Sequence, residues 1–136
     1  MSRDYLDASC IVYLIEAASP FHSAVVARLT RHRTDPSAAV VTSRLSRLEC
    51  RTRPLREGNS TLLLAYDAFF SSGRLILVEI NAPVIERATD LRAGHGFKTP
   101  DAIHLATAIH EGASVFLTGD AALARCADVN VEVLTL

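Results

Sequence analysis

Five mostly apolar runs of only about four residues each, separated by segments of helical period, restrict this chain to a parallel sheet with helices on both faces. The runs are Tyr5–Ala8, Ala39–Thr42, Leu75–Val78, Val115–Leu117 and Val131–Leu134. Parallel neighbours need a crossover rather than a hairpin, and the segments between these runs are long enough to supply one. The expected class is α/β, three layers deep. At 136 residues and 49% hydrophobic, the chain reads as a single domain, 1–136, with enough apolar material for a real core. No repeat or low-complexity linker divides it.

The helical segments carry their own start and stop signals. Ser9 is placed to cap a helix over 9–18. Pro20 opens a second to about His32, with Phe21, Val25 and Leu29 recurring every four residues. The polar stretch 33–37 reads as a loop. A helix follows from Ser43 to Arg53, where Pro54 should end it. Ser60 can cap the next, which Gly73 stops after Ser72. Pro83–Ala93 is broken by Gly94-His95-Gly96. Thr99-Pro100 then gives an N-cap and first helical residue for a helix to His110, and a short helix is expected over 121–126.

Charge excludes one class and hints at another. A formal charge of −1 is not the profile of a nonspecific nucleic-acid binder. The charge is uneven, however: residues 1–60 hold 9 Arg against 6 acids, and residues 61–136 hold 5 Lys+Arg against 9 acids. A basic rim around an acidic centre would suit an enzyme acting on RNA. The start of the chain lacks the pattern of a secretory signal, and no apolar run approaches membrane-spanning length. Three cysteines, Cys10, Cys50 and Cys126, have neither disulfide nor zinc spacing. They read as small buried thiols in a cytoplasmic protein.

The chemistry resides in four acids. Asp7 and Asp120 each follow a strand, where open α/β sheets place their binding crevice. Asp101 opens an almost wholly apolar helix and shares a face with Leu105 and Ala108. Glu49 falls within about 60° of the stripe Leu45, Leu48 and Thr52, so it is expected to turn inward. Each has an ordinary alternative, since Asp7 and Asp120 can cap helices and Asp101 suits a helix dipole. If the four converge, their repulsion requires protons or a divalent cation. Hard oxygen donors without a Cys or His cluster suit Mg²⁺ or Mn²⁺. Asp7 and Asp101 are then the expected direct ligands. Glu49 and Asp120 would complete the shell directly, through water, or by accepting a proton from an attacking water.

Around them, Ser9 and Thr118 are candidate hydroxyls for orienting carboxylates or water, with capping as the equal alternative. His104, one turn from Asp101, reads as structural rather than as a base, and His22, His32, His95 and His110 form no group. Arg44, Arg47 and Arg51 lie within about 60° of arc on one helix. They are an RNA-phosphate clamp, an ordinary solvated face or partners for nearby acids.

Four segments in order carry a family resemblance: Tyr5-Leu6-Asp7-Ala8-Ser9, Leu45-Ser46-Arg47-Leu48-Glu49-Cys50, Thr99-Pro100-Asp101-Ala102-Ile103-His104-Leu105-Ala106-Thr107-Ala108 and Leu117-Thr118-Gly119-Asp120. Together they resemble the PIN-domain ribonucleases, in particular the VapC-type toxins of bacterial toxin–antitoxin pairs, over essentially the whole chain. The resemblance implies strand order 3-2-1-4-5 with the acids at the C-terminal edge of the strands. It further implies metal-dependent RNA cleavage and a cognate antitoxin whose C-terminal segment covers the groove. A homodimer is also expected, with the apolar helices of 9–32 as one possible face. Many relatives carry another acid shortly after the Thr-x-Asp element; here Ala121 and Ala122 stand there, which leaves any second metal to substrate phosphates. Two other classes fit less of this pattern. One is a relative that binds antitoxin or RNA without efficient turnover. The other is a phosphoaspartate enzyme using Asp7, which lacks a second acid two residues on and has only Lys98 as a lysine.

Overall fold

The structure, a computed structural model, describes residues 2–17 and 20–135, apart from the side chains of residues 31–33. Five parallel strands, β1 (Arg3–Leu6), β2 (Ala39–Ser43), β3 (Leu75–Val78), β4 (Val115–Thr118) and β5 (Val131–Val133), form one sheet in the order β3-β2-β1-β4-β5. The strand order and class expected from the sequence are those observed. Among the described residues, six α-helices cross between the strands: α1 (Ala8–Glu16), α2 (Phe21–Thr34), α3 (Arg44–Arg56), α4 (Ser60–Phe70), α5 (Ala82–His95) and α6 (Thr99–His110).

Two-residue alternation divides the apolar side chains between two cores. Tyr5 pairs with Val41 on one side and Phe116 on the other, and all three point into the core shared with α5 and α6. The next residue along, Leu6, pairs with Leu117, and both face the opposite core beneath α1 and α2. A strand buried on both faces needs no polar side, which is why these runs are mostly apolar rather than strictly alternating. Ile11 and Val25 are fully buried in the second core, with Val12, Leu14, Ile15, Phe21 and Leu29 packed against it. The apolar side of the 9–32 segment is thus core. Among the described residues no single helix is long and apolar enough to cross a membrane.

Several boundaries differ from the sequence expectation for identifiable reasons. β1 ends at Leu6, so Asp7 rather than Ser9 caps α1, accepting from the Cys10 amide. Pro54 lies inside α3 instead of ending it. Lacking an N–H, Pro54 leaves the Cys50 carbonyl without its helical donor, but only two helical residues follow it and its ring is buried. Asn59, not Ser60, caps α4, and Lys98 occupies the cap position of α6 with Thr99 already helical. α5 continues through Gly94 to His95, and Gly96 closes it at φ +69°. The segment Ala121–Arg125 is a 3₁₀ turn. The expected helix end at Ala18 and the side chain of His32 lie outside the described residues.

α6 carries one wall of the first core, and Leu105 is fully enclosed there. Leu105→Ala should destabilise the protein by about 2–5 kcal/mol. Urea unfolding checks this as a lower midpoint with an unchanged slope.

Candidate active site

The strand order reverses its direction of growth at β1 and β4, whose following connections depart to opposite sides of the sheet. The crevice beyond the ends of two such strands is the usual binding position in an open α/β fold. Asp7 follows β1 and Asp120 follows β4 by one intervening glycine, so both stand at this switch point.

Hydrogen bonds hold the two strand ends together. The buried Asp7 carboxylate accepts at Oδ1 from Ser9 Oγ (2.6 Å) and the Cys10 amide (3.1 Å). Its Oδ2 accepts from Thr118 Oγ1 at 2.5 Å. Ser9 Oγ accepts from the Gly119 amide (3.2 Å), and Thr118 Oγ1 accepts from the Asp120 amide (3.0 Å). The hydroxyls of Ser9 and Thr118 therefore bridge Asp7 to the backbone that carries Asp120. Gly119 also makes room for Tyr13 of α1: a Cβ there would meet Tyr13 Cε2 at 2.8 Å and its hydroxyl oxygen at 2.9 Å. Asp120 is exposed and caps the 3₁₀ turn through the Ala122 amide, at 2.9 Å.

Asp101, in the first turn of α6, is the electrostatic meeting point. Its carboxyl is pushed above the ordinary range by burial, then by the nearby carboxylates of Asp120 and Asp7, against opposing pulls from His104 and Lys98. Asp101 thus feels two of the other three expected acids. An unrelieved set of carboxylates is what a divalent cation neutralises, and every donor here is a hard oxygen. Among the described residues, no three His, Cys, Asp or Glu side chains are set to hold a metal ion jointly.

Glu49 joins through an intermediary that the sequence pattern did not supply. Its Oε1 lies 2.5 Å from His104 Nε2. On the other side, His104 Nδ1 is 2.7 Å from the Tyr5 hydroxyl, which lies 2.9 Å from Ser43 Oγ. Burial pushes the Tyr5 hydroxyl well above its ordinary pKa, so it stays neutral. His104, only 3% exposed, is a satisfied structural histidine that also anchors an acid. The clue available in the sequence was its position one turn beyond Asp101 on a buried face.

The stripe argument for Glu49 needs correction. Leu48 is 63% exposed, and α3 buries Ser46, Cys50 and Pro54 instead. Glu49 is an exposed residue at the margin of that face, its side chain 32% exposed, and it reaches the site sideways through His104. On the same helix, Arg47 and Arg51 both contact Asp67 Oδ1, at 3.0 and 2.8 Å, while Arg44 pairs with Glu79 at 3.0 Å. All three cysteines are free and buried. Burial pushes the Cys50 thiol up to about 12, and Cys10 is raised further by burial and by Asp7, so neither is a reactive thiolate. None of the four acids lines the cavity of about 790 Å³ between α2, the start of β2 and the start of β3.

The raised pKa of Asp101 has a definite consequence for stability. A carboxyl with a folded pKa above its unfolded value stabilises fully below the unfolded pKa and loses that contribution as pH rises through the folded one. Asp101→Asn should therefore melt higher than the parent near pH 7. The difference should vanish below the ordinary carboxylate range, which thermal melts across pH will measure.

The sequence matches the family model for the PIN domain over residues 5–129. A comparison with curated proteins finds no match. Among solved structures, the chain is similar to VapBC2 from Rickettsia felis bound to a DNA fragment from their promoter (TM-score 0.81, 16% identity, covering 98% of this chain and 99% of that one). It is also similar to a sarcin-ricin-loop-cleaving VapC toxin of Mycobacterium tuberculosis (0.70, 20%, 93% and 98%) and to FitAcB from Neisseria gonorrhoeae (0.70, 21%, 94% and 95%).

Proposed function

The chain belongs to the PIN domain family, and on that premise we propose that it is a metal-dependent endoribonuclease acting as the toxin of a toxin–antitoxin pair. The observation that carries the reading is the position of Asp7 and Asp120 just past β1 and β4, where both carboxylates also raise the carboxyl of Asp101 at the start of α6. Glu49 is the fourth acid, held by His104. The Mycobacterium neighbour, a toxin that cleaves the sarcin-ricin loop, supports both the toxin role and RNA as the substrate class.

Mg²⁺ or Mn²⁺, held by Asp7 and Asp101 with Glu49 and Asp120 directly or through water, would supply positive charge at the phosphodiester and acidify an attacking water. The chain's own contribution is to fix the acids. Ser9 and Thr118 keep both oxygens of Asp7 in place. His104 does the same for Glu49 and leaves its second oxygen available to accept a proton. Asp120 is exposed at the rim, where a bound strand would pass. Asp7 is buried and engaged at both oxygens, which suits a fixed ligand better than a phosphoryl-accepting nucleophile.

A toxin of this kind must be restrained by a partner. A cognate antitoxin covering the acidic centre with a cationic side chain would compete with metal, and a homodimer is the expected assembly. Light scattering and co-expression with the product of the adjacent gene test both.

The decisive test is RNA cleavage by the purified chain. Asp7→Asn and Asp101→Asn should each lower the rate about 100-fold or more, since even supporting residues around a metal typically cost 10–100-fold. Thr118→Val should fall within that smaller range. Millimolar Mn²⁺ should raise the melting temperature of the parent and not that of Asp101→Asn. Undiminished cleavage in both Asn variants, or in chelator-treated protein, would refute the reading.

A further inference from the structure

Ion pairing separates the basic side chains into two groups. Among the twelve described Lys and Arg side chains, seven pair with carboxylates and five do not: Arg56, Arg74, Arg92, Lys98 and Arg125. Three of these five gather at one residue. Arg92, in the last turn of α5, donates from Nε to the Phe97 carbonyl oxygen at 3.0 Å. The Arg125 guanidinium lies over the Phe97 ring, 4.4 Å from its centroid. Lys98 is the next residue in the chain, and the His95 ring lies 5.6 Å from that of Phe97. Phe97 itself is buried in the first core among residues of α5 and α6, so the cluster stands on a rigid base.

From this cluster we infer that Arg92, Lys98 and Arg125 form the phosphate clamp of the site, gripping the RNA backbone beside the scissile bond. The inference rests on the nuclease reading above. Position supports it: Lys98 precedes Asp101 by three residues at the entry to α6, and Arg125 ends the 3₁₀ turn that Asp120 caps. The acidic centre and the free cations therefore share the α6 entry and the segment beyond β4. Preparation supports it too. Stacking on Phe97 and the bond to its carbonyl hold two guanidinium groups in place before any ligand arrives, which lowers the entropy lost on binding. All three side chains are exposed. The arginines of α3 are differently placed, because an incoming phosphate must compete there with Asp67 or Glu79.

The test measures binding of fluorescently labelled bulk transfer RNA to the full chain carrying Asp101→Asn, which preserves the probe. Titrations at roughly 50 to 200 mM salt give the slope of log affinity against log salt. Lys98→Gln should flatten that slope by about 0.7–0.9, and the Arg92/Lys98/Arg125→Gln variant by up to about 2.7. Melting curves identify any unfolded variant. Lys98→Gln, whose side chain makes no hydrogen bond or ion pair among the described residues, keeps the test decisive if the triple variant fails to fold. A slope unchanged by either variant overturns the clamp. So does a slope flattened only by the Arg44/Arg47/Arg51→Gln variant, which would move the clamp to α3. Retained RNA slope with lost antitoxin binding overturns it in favour of a protein partner. A parent chain that neither cleaves nor binds RNA overturns the nuclease reading as well, whereas cleavage with unaltered slopes overturns the clamp alone.

Discussion

The pairing of β1 with β4 is the constraint on which the site depends. Its register sets Leu6 beside Leu117, so the strands end together and Asp7 stands next to Thr118. The hydrogen bond from Thr118 Oγ1 to Asp7 Oδ2 ties the two ends, and Ser9 adds a second tie through Gly119. A shift by one residue would send Tyr5 and Leu6 to the wrong cores and would also separate these groups. Core packing and site geometry are therefore specified by the same register. The capping and catalytic interpretations of Asp7 are compatible for this reason: the Cys10 amide engages Oδ1 and immobilises the carboxylate.

A second link joins the core to the site through Tyr5. Its ring stacks on Phe116 inside the first core, with centroids 5.3 Å apart, while its hydroxyl reaches His104. The line from Phe116 through Tyr5 and His104 to Glu49 runs from fully buried apolar packing to a partly exposed carboxylate. Buried polar groups are costly unless satisfied. Here Ser43 accepts from Tyr5, and Thr42 bonds both Leu6 O and Ser46 Oγ at 2.7 Å, so the polar pocket between β2 and α3 is internally bonded.

Charge shows how segment totals mislead. The first sixty residues are net basic, yet Arg3, Arg28, Arg44, Arg47, Arg51 and Arg53 all lie against carboxylates. The net acidic remainder holds the cluster of free cations at Phe97. What a passing polyanion meets is the unpaired charge, and pairing is a property of side chains brought together from distant positions. Arg47 with Asp67 and Arg87 with Asp128 span 20 and 41 residues of sequence.

Much of the architecture was legible because it rests on local or periodic signals. Five short apolar runs determined a parallel sheet, the Pro and Gly positions located most helix ends within a few residues, and the spacing of acids after strands marked Asp7 and Asp120. Glu49 was singled out by a stripe that turned out to be exposed, since helical angle alone does not say which face meets the core. His104 could not be recognised as its partner, because that contact joins α3 to α6 across 55 residues. Sequence by itself thus determined which residue types and elements were available, through periodicity and capping. Only the tertiary structure decided which carboxylates repel, which cations are neutralised and which histidine holds an acid, because electrostatic energy depends on distances that the folded chain alone sets.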